Sequence, residues 1–172
     1  EKISILPVVN GVIQSSISDD IMYITAIDRV KGTSKLANGF IKGFEFVNGA
    51  IAMTKNSHAQ SLLVAGTNHD DMFIAVKELE KIGGGNIVVS EGKIIKSLPL
   101  EYFGLGSSDS IENVVKLRSE LSVAMKNLGC NLESPFETLS FVALPVTIGN
   151  LKICEEGLVD VWKDKLVDVV VS

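Results

Sequence analysis

Histidine and cysteine are scarce in this sequence, with two of each in 172 residues, and the scarcity removes whole classes of chemistry. A catalytic metal site needs about three nitrogen, oxygen or sulfur ligands brought together by the fold. His58 and His69 form no H-x-H or H-E-x-x-H motif, and Cys130 and Cys154 no C-x-x-C, so a metallohydrolase complete within this chain is not expected. No G-x-S-x-G elbow is present, and adjacent Ser57 and His58 on an extended segment would point to opposite sides, which disfavours a serine triad. The two thiols are expected to be free and reduced. Basic charge is also in short supply: 16 Lys and Arg against 21 Asp and Glu give a net charge of −5 and a pI near 5.1. That balance argues against DNA or RNA, whose binding rests on clustered cations. No apolar run approaches the roughly 18 residues of a membrane span, and no basic start followed by an apolar stretch marks a signal peptide. A cytoplasmic location without a membrane partner is the expectation. The chain begins at Glu1 rather than methionine, as a fragment, a processed chain or one with a tag removed would.

What is present suits a compact domain. Hydrophobic residues make up 46% and charged residues 22%, with only four prolines, and a chain of this length buries roughly 70% of its unfolded surface. Residues 21–29 are rich in β-branched and aromatic types, and residues 51–54 and 61–65 are short apolar runs bounded by Gly, Asn and Ser; all three read as strands. Between the first two, Gly32, Gly39, Gly43 and Gly49 break the pattern, and mostly loop is expected there. From Asp70 to Ile82, Met72, Ala75, Val76 and Leu79 recur at helical spacing, with Gly83 as a left-handed cap. NIVVSEGKIIK reads as a hairpin turning at Glu91-Gly92.

Asp109 with Glu112 signals a second helix, carrying Ile111, Val114, Leu117, Leu121, Met125 and Leu128 on one face and closed by Gly129. Ser134, Pro135 and Glu137 signal a third, capped by a serine–glutamate box and ending before Pro145. The tail from Leu158 reads as two short strands turning near Lys163-Asp164. The whole, residues 1–172, is expected to be one α+β domain, a mixed, largely antiparallel sheet flanked by helices.

Few positions invite a functional reading. Gly83, Gly84 and Gly85 follow a helix, whereas phosphate loops need their glycines before one, so a cap and a sharp entry into the next strand are expected. His69, between Asn68 and Asp70, is expected to help satisfy the helix start. Trp162, Phe136 and Phe141 are expected in the core. Lys55-Asn56-Ser57-His58-Ala59 is a polar turn between two strands, where His58 is either a hydrogen-bonded turn residue or part of a site.

Several stretches in order, GFIKGFEFVNGAIA, SHAQSLLVAGTNHDDMFIAVKELEKIGGGNIVV, LPLEYFGLGS, PFETLSFVALPV and LKICEEGLVDV, resemble the C-terminal domain of bacterial and archaeal adenine deaminases, over about residues 25–172. The resemblance implies an enzyme of the amidohydrolase superfamily that hydrolyses adenine to hypoxanthine and ammonia. Its divalent metal, Mn or Fe, would be bound by a separate barrel domain absent from these residues. The implied partners are that barrel, adenine or a related purine, and further copies of the chain in a homo-oligomer. The isolated chain is then expected to be inactive and to complete or cover the barrel's active site. Where the family carries H-D-S-H-N, this chain has Lys55-Asn56-Ser57-His58-Ala59. The polarity of that turn makes Lys55, Asn56, Ser57 and His58 candidate substrate-binding residues; no catalytic or metal-binding residue is assigned. The substitutions also fit a free-standing relative that binds a small molecule or serves assembly without deaminase activity.

Overall fold

A computed structural model of the chain describes residues 3–56, 61–147 and 149–171. The elements, in chain order, begin with the strands β1 (Val8–Val9) and β2 (Val12–Ile13), a 3-10 turn at Ile17–Asp19, and the strands β3 (Ile21–Ile27), β4 (Leu36–Lys42), β5 (Ala50–Met53) and β6 (Leu62–Gly66). Helix α1 (His69–Ile82), strands β7 (Gly85–Ser90) and β8 (Lys93–Pro99), and helices α2 (Ile111–Asn127) and α3 (Pro135–Val142) follow. Strands β9 (Leu151–Cys154), β10 (Gly157–Asp160) and β11 (Lys165–Val167) close the chain.

Six strands form the main sheet in the order β4-β3-β6-β5-β7-β8, and every neighbouring pair is antiparallel. The fold class is α+β, as the alternation of hairpins and helices predicts. The pleat separates two cores. Ala50, Ala52, Leu62, Val64, Ile87 and Val89 face Met72, Ala75 and Leu79 of α1, while Ile51, Met53, Leu63, Ala65 and Val88 face Leu121 and Met125 of α2 and Phe136 and Leu139 of α3. The central strands are therefore covered on both sides, which is why they read as unbroken apolar runs rather than alternating ones. Each large side chain fully buried in this way stabilises the fold by roughly 1.5–3 kcal/mol. The three-stranded sheet β11-β10-β9 lies on the same side as α2 and α3, with Ile153 buried against the main sheet.

Local signals account for α1. The Asn68 side chain accepts from the Asp71 backbone N–H at 2.8 Å, and Gly83 ends the helix at φ 82°. Gly84 and Gly85 continue at φ 110° and 141°, so the triple glycine is a cap and strand entry, as expected from its place after the helix. An added Cβ at Gly85 would lie 2.0 Å from the Leu98 carbonyl oxygen. The β7–β8 turn falls at Glu91-Gly92, both left-handed, and the tail turns between β10 and β11 across Lys163-Asp164. Cys130 and Cys154 are both free.

Several expectations are corrected. The glycine-broken stretch holds strand β4, paired with β3 from Ile21 opposite Lys42 to Ile27 opposite Leu36. A Cβ on Gly39 would come within 3.4 Å of Ile153 Cδ1, so that glycine marks a close approach of the small sheet and not a loop. Helix α2 is capped by Ser110, which accepts from the Asn113 N–H at 3.2 Å, and Ile111 is exposed rather than on the buried face. Ser134 makes no side-chain cap bond to α3, and the Glu137 carboxylate pairs with Arg118 of α2. Of the three aromatics expected inside, Phe136 is buried, but Phe141 and Trp162 are exposed. Trp162 donates its indole N–H to Asn150 Oδ1 at 2.6 Å from the rim of the small sheet. His69 takes no part in the cap and stacks on Tyr23, ring centres 4.2 Å apart.

Candidate functional site: one polar end of the sheet

At one end of the main sheet, β3, β5 and β8 finish while β4, β6 and β7 begin, so four connections converge there. The β3–β4 loop is folded around Asp28. Its Oδ1 accepts from the N–H groups of Val30 and Lys31 at 3.0 and 2.9 Å, and its Oδ2 accepts from the Thr33 N–H at 2.8 Å and from the Thr33 hydroxyl. The Thr33 hydroxyl first, then these N–H groups, hold the Asp28 carboxyl well below the usual carboxylate range.

The loop after β8 crosses this end. Arg29 donates from Nη2 to the Phe103 carbonyl. The Thr54 hydroxyl donates to the Gly104 carbonyl at 2.7 Å and accepts from the Gly85 N–H at 2.8 Å. Phe103 is held left-handed at φ 56°, a conformation that costs a non-glycine residue energy. The residue is 85% exposed, with Tyr102 57% exposed beside it. The backbone is fastened beneath an aromatic that touches little of its own chain, which is a presentation geometry rather than a core one.

The β9–β10 turn reaches the same end. Glu155, only 8% exposed, accepts from the Ser61 hydroxyl at 2.7 Å and from Lys31 Nζ at 3.2 Å. Burial raises the Glu155 carboxyl, but Ser61, its own backbone and Lys31 together outweigh that and leave it below its ordinary value. Lys35 pairs with the neighbouring Glu156 at 2.6 Å.

The predicted turn leaves β5 here. Lys55 is exposed, and Asn56 is 4% exposed with its Nδ2 donating to the Ser61 carbonyl. Ser57 and His58 lie outside the described residues, so of the four candidates Lys55 and Asn56 are placed. Both line a cavity of about 360 Å³ between this end of the sheet and the α2 and α3 helices. Asn86 lines it too, and its Oδ1 is buried without a hydrogen-bond partner, alone among the described side chains. A buried amide left unpaired costs roughly 1–3 kcal/mol. A larger depression of about 490 Å³ lies on the outer face between α1 and Ile94. Its charged residues Lys77, Glu78, Glu80 and Lys81 are already ion-paired with one another, so it offers no unmet polar demand.

Arg29, Ser61, Asn86, Phe103 and Glu155 are the residues that sequence reasoning missed. For Phe103 a signal existed, Tyr-Phe between turn residues in LPLEYFGLGS; the others become visible only through pairing across the fold. Among the described residues no group of three or more His, Cys, Asp or Glu side chains could hold a metal ion, and no helix is long and apolar enough to cross a membrane. The carboxylates of this end, Asp28 and Glu155, are engaged in fixed hydrogen bonds.

The class defined by these features is an α+β domain built to present a polar sheet end and a pinned aromatic loop. The sequence matches the family described as "Adenine deaminase C-terminal domain" over residues 1–165, and the chain belongs to that family. The match starts earlier than the likeness from residue 25 suggested. Among its relatives, the adenine deaminase of Dehalococcoides mccartyi is 41% identical over 162 residues, covering 94% of this chain and 28% of that protein. That of Staphylothermus marinus is 45% identical over 152 residues, 88% of this chain and 25% of that protein. The adenine deaminase of Moorella thermoacetica is 34% identical over 165 residues, with 96% and 28% covered. The chain thus spans about a quarter of the length of the curated relatives it matches.

Proposed function

We propose that this chain serves as the C-terminal domain of an adenine deaminase, which converts adenine and water to hypoxanthine and ammonia in the cytoplasm. The observation that carries this reading is the family match over residues 1–165 with relatives named adenine deaminase that are about four times as long. The reaction's metal, Mn or Fe, belongs to a barrel formed by the remaining three quarters, where it would activate water for attack at the purine amino carbon. The domain's own part is to dock on that barrel and cover its active site. The sheet end described above suits this role, because Phe103 and Tyr102 are exposed on a loop whose backbone is already fixed by Arg29 and Thr54. Pre-fixing a loop lowers the ordering cost of association.

The test assays the pure chain for ammonia release from adenine with Mn²⁺ or Fe²⁺ supplied, and for association with a metal-loaded relative truncated of its own C-terminal quarter. No ammonia from the chain alone, with association lost on Phe103→Ser, is expected. Deamination by the chain alone, or no association at all, contradicts the reading.

A further inference from the structure

We propose that the cavity beside Asn86 is a binding site for a small, flat, neutral nitrogen heterocycle that presents an N–H to the Asn86 side-chain oxygen. That a purine base is the natural member of this class rests on the function proposed above; the site itself does not.

Register makes the first argument. Asn86 stands opposite Met53 on β5 and Leu98 on β8, and Val88, next along β7 on the same face, is fully buried. An asparagine therefore stands among the apolar Met53, Val88 and Leu98 on that face, and its Oδ1 is buried without a partner. A carboxamide oxygen recognises N–H donors, the group that heterocycles with ring N–H or exocyclic amines supply.

Space and wall chemistry make the second. The cavity of about 360 Å³ falls in the roughly 300–1,000 Å³ range of small-molecule sites, which are mostly apolar with a few placed polar groups. Met53, Leu98 and Phe136 supply the apolar walls, and Asn56 and Ser140 the remaining buried polar ones. Charge is confined to the rim: Lys55 is exposed, and Arg118 is paired with Glu137. With no charged side chain buried in the walls among the described residues, a neutral occupant is selected over an ionised one.

The experiment titrates the 172-residue chain with adenine, 2-aminopyridine and, as a flat ring lacking an N–H, quinoline. It follows the Asn86 side-chain amide and the methyl groups of Met53 and Leu98 by NMR. Saturable shifts at those groups with adenine and 2-aminopyridine are expected, quinoline binding at least about tenfold more weakly. Asn86→Leu should weaken both ligands by about tenfold or more without lowering the thermal midpoint, which a purely structural asparagine would not allow. If Asn86→Leu does not fold, Asn86→Ser withdraws the same oxygen and is read the same way. Binding of 2-aminopyridine without adenine supports the site and overturns its assignment to purines, leaving the deaminase reading to the ammonia assay. Absence of saturable shifts with either ligand, shifts centred elsewhere, equal binding of quinoline, or unchanged binding by the Asn86 variants overturns the proposal.

Discussion

The Ser61 hydroxyl donates to Glu155 Oε2 at 2.7 Å, joining the start of β6 to the turn of the small sheet. Both residues are buried, at 1% and 8% exposure, so the bond fixes how the small sheet sits on the polar end. Removing one partner of a buried charged hydrogen bond costs about 1–3 kcal/mol. Ser61→Ala should therefore lower unfolding stability by about that amount at neutral pH, measured in urea. The folded Glu155 carboxyl lies below its unfolded value near 4.5, so its contribution is present above that pH and lost as pH falls through the folded value. The difference between wild type and Ser61→Ala should accordingly shrink as pH falls below the ordinary glutamate range. An undiminished difference at low pH would mean that Glu155 is not the partner that matters.

Asp28 organises the loop from Val30 to Thr33 through its two oxygens. Asp28→Asn keeps the shape but turns one acceptor into a donor, facing the Thr33 N–H. The amides of Val30, Lys31 and Thr33 should then exchange with solvent at least about tenfold faster, while those of β5 stay protected. Because the Asp28 carboxyl is held below its ordinary value, the wild-type loop should loosen only well under pH 4, as falling pH protonates it. Unaltered exchange in the variant would refute this account of the loop.

Gly85 adopts φ 141°, and a Cβ there would lie 2.0 Å from the Leu98 carbonyl. Since that oxygen belongs to a paired strand and cannot retreat, Gly85→Ala should cost about 3 kcal/mol or more. This corresponds to a fall in the melting midpoint of roughly 6–12 °C. Gly106→Ala is the matched control, because its nearest neighbour would be Tyr102 Cβ at 3.7 Å, and its midpoint should hardly move. Equal midpoints for the two variants would remove the steric argument.

The cysteines should react in order. Cys130 is fully buried and burial raises its thiol above the ordinary value, whereas Cys154 is part-exposed. A thiol reagent at pH 8 should label Cys154 first and reach Cys130 only on unfolding. Simultaneous labelling of both in the folded chain would contradict the packing at the end of α2.

Some of this fold was legible in the residues themselves. Met72, Ala75 and Leu79 recur on one face because α1 has a single buried side, and Glu91-Gly92 carries its turn in two left-handed residues. Strand β4 was not legible, since Asn38 and Gly39 have little strand preference of their own. Pairing with β3 and the approach of Ile153 make them a strand, and both are long-range. Trp162 misled because apolar type alone does not tell core from rim. At this end of the sheet the polar turn could be found by composition: its Lys55 and Asn56 line the cavity, while Ser57 and His58 lie outside the described residues. Asn86 could not, because an asparagine at the head of a strand reads as a turn residue until register places it opposite Met53 and Leu98.

The most direct measurement of the central claim is adenine deamination by a chimera. In it this chain replaces the C-terminal quarter of the Dehalococcoides mccartyi enzyme, with which it shares 41% identity, and it is compared with the same enzyme lacking that quarter. The account predicts ammonia release by the metal-loaded chimera at least about tenfold above the truncated enzyme, because the grafted domain docks and covers the site. A chimera that folds, holds its metal and is no more active than the truncated enzyme would contradict it.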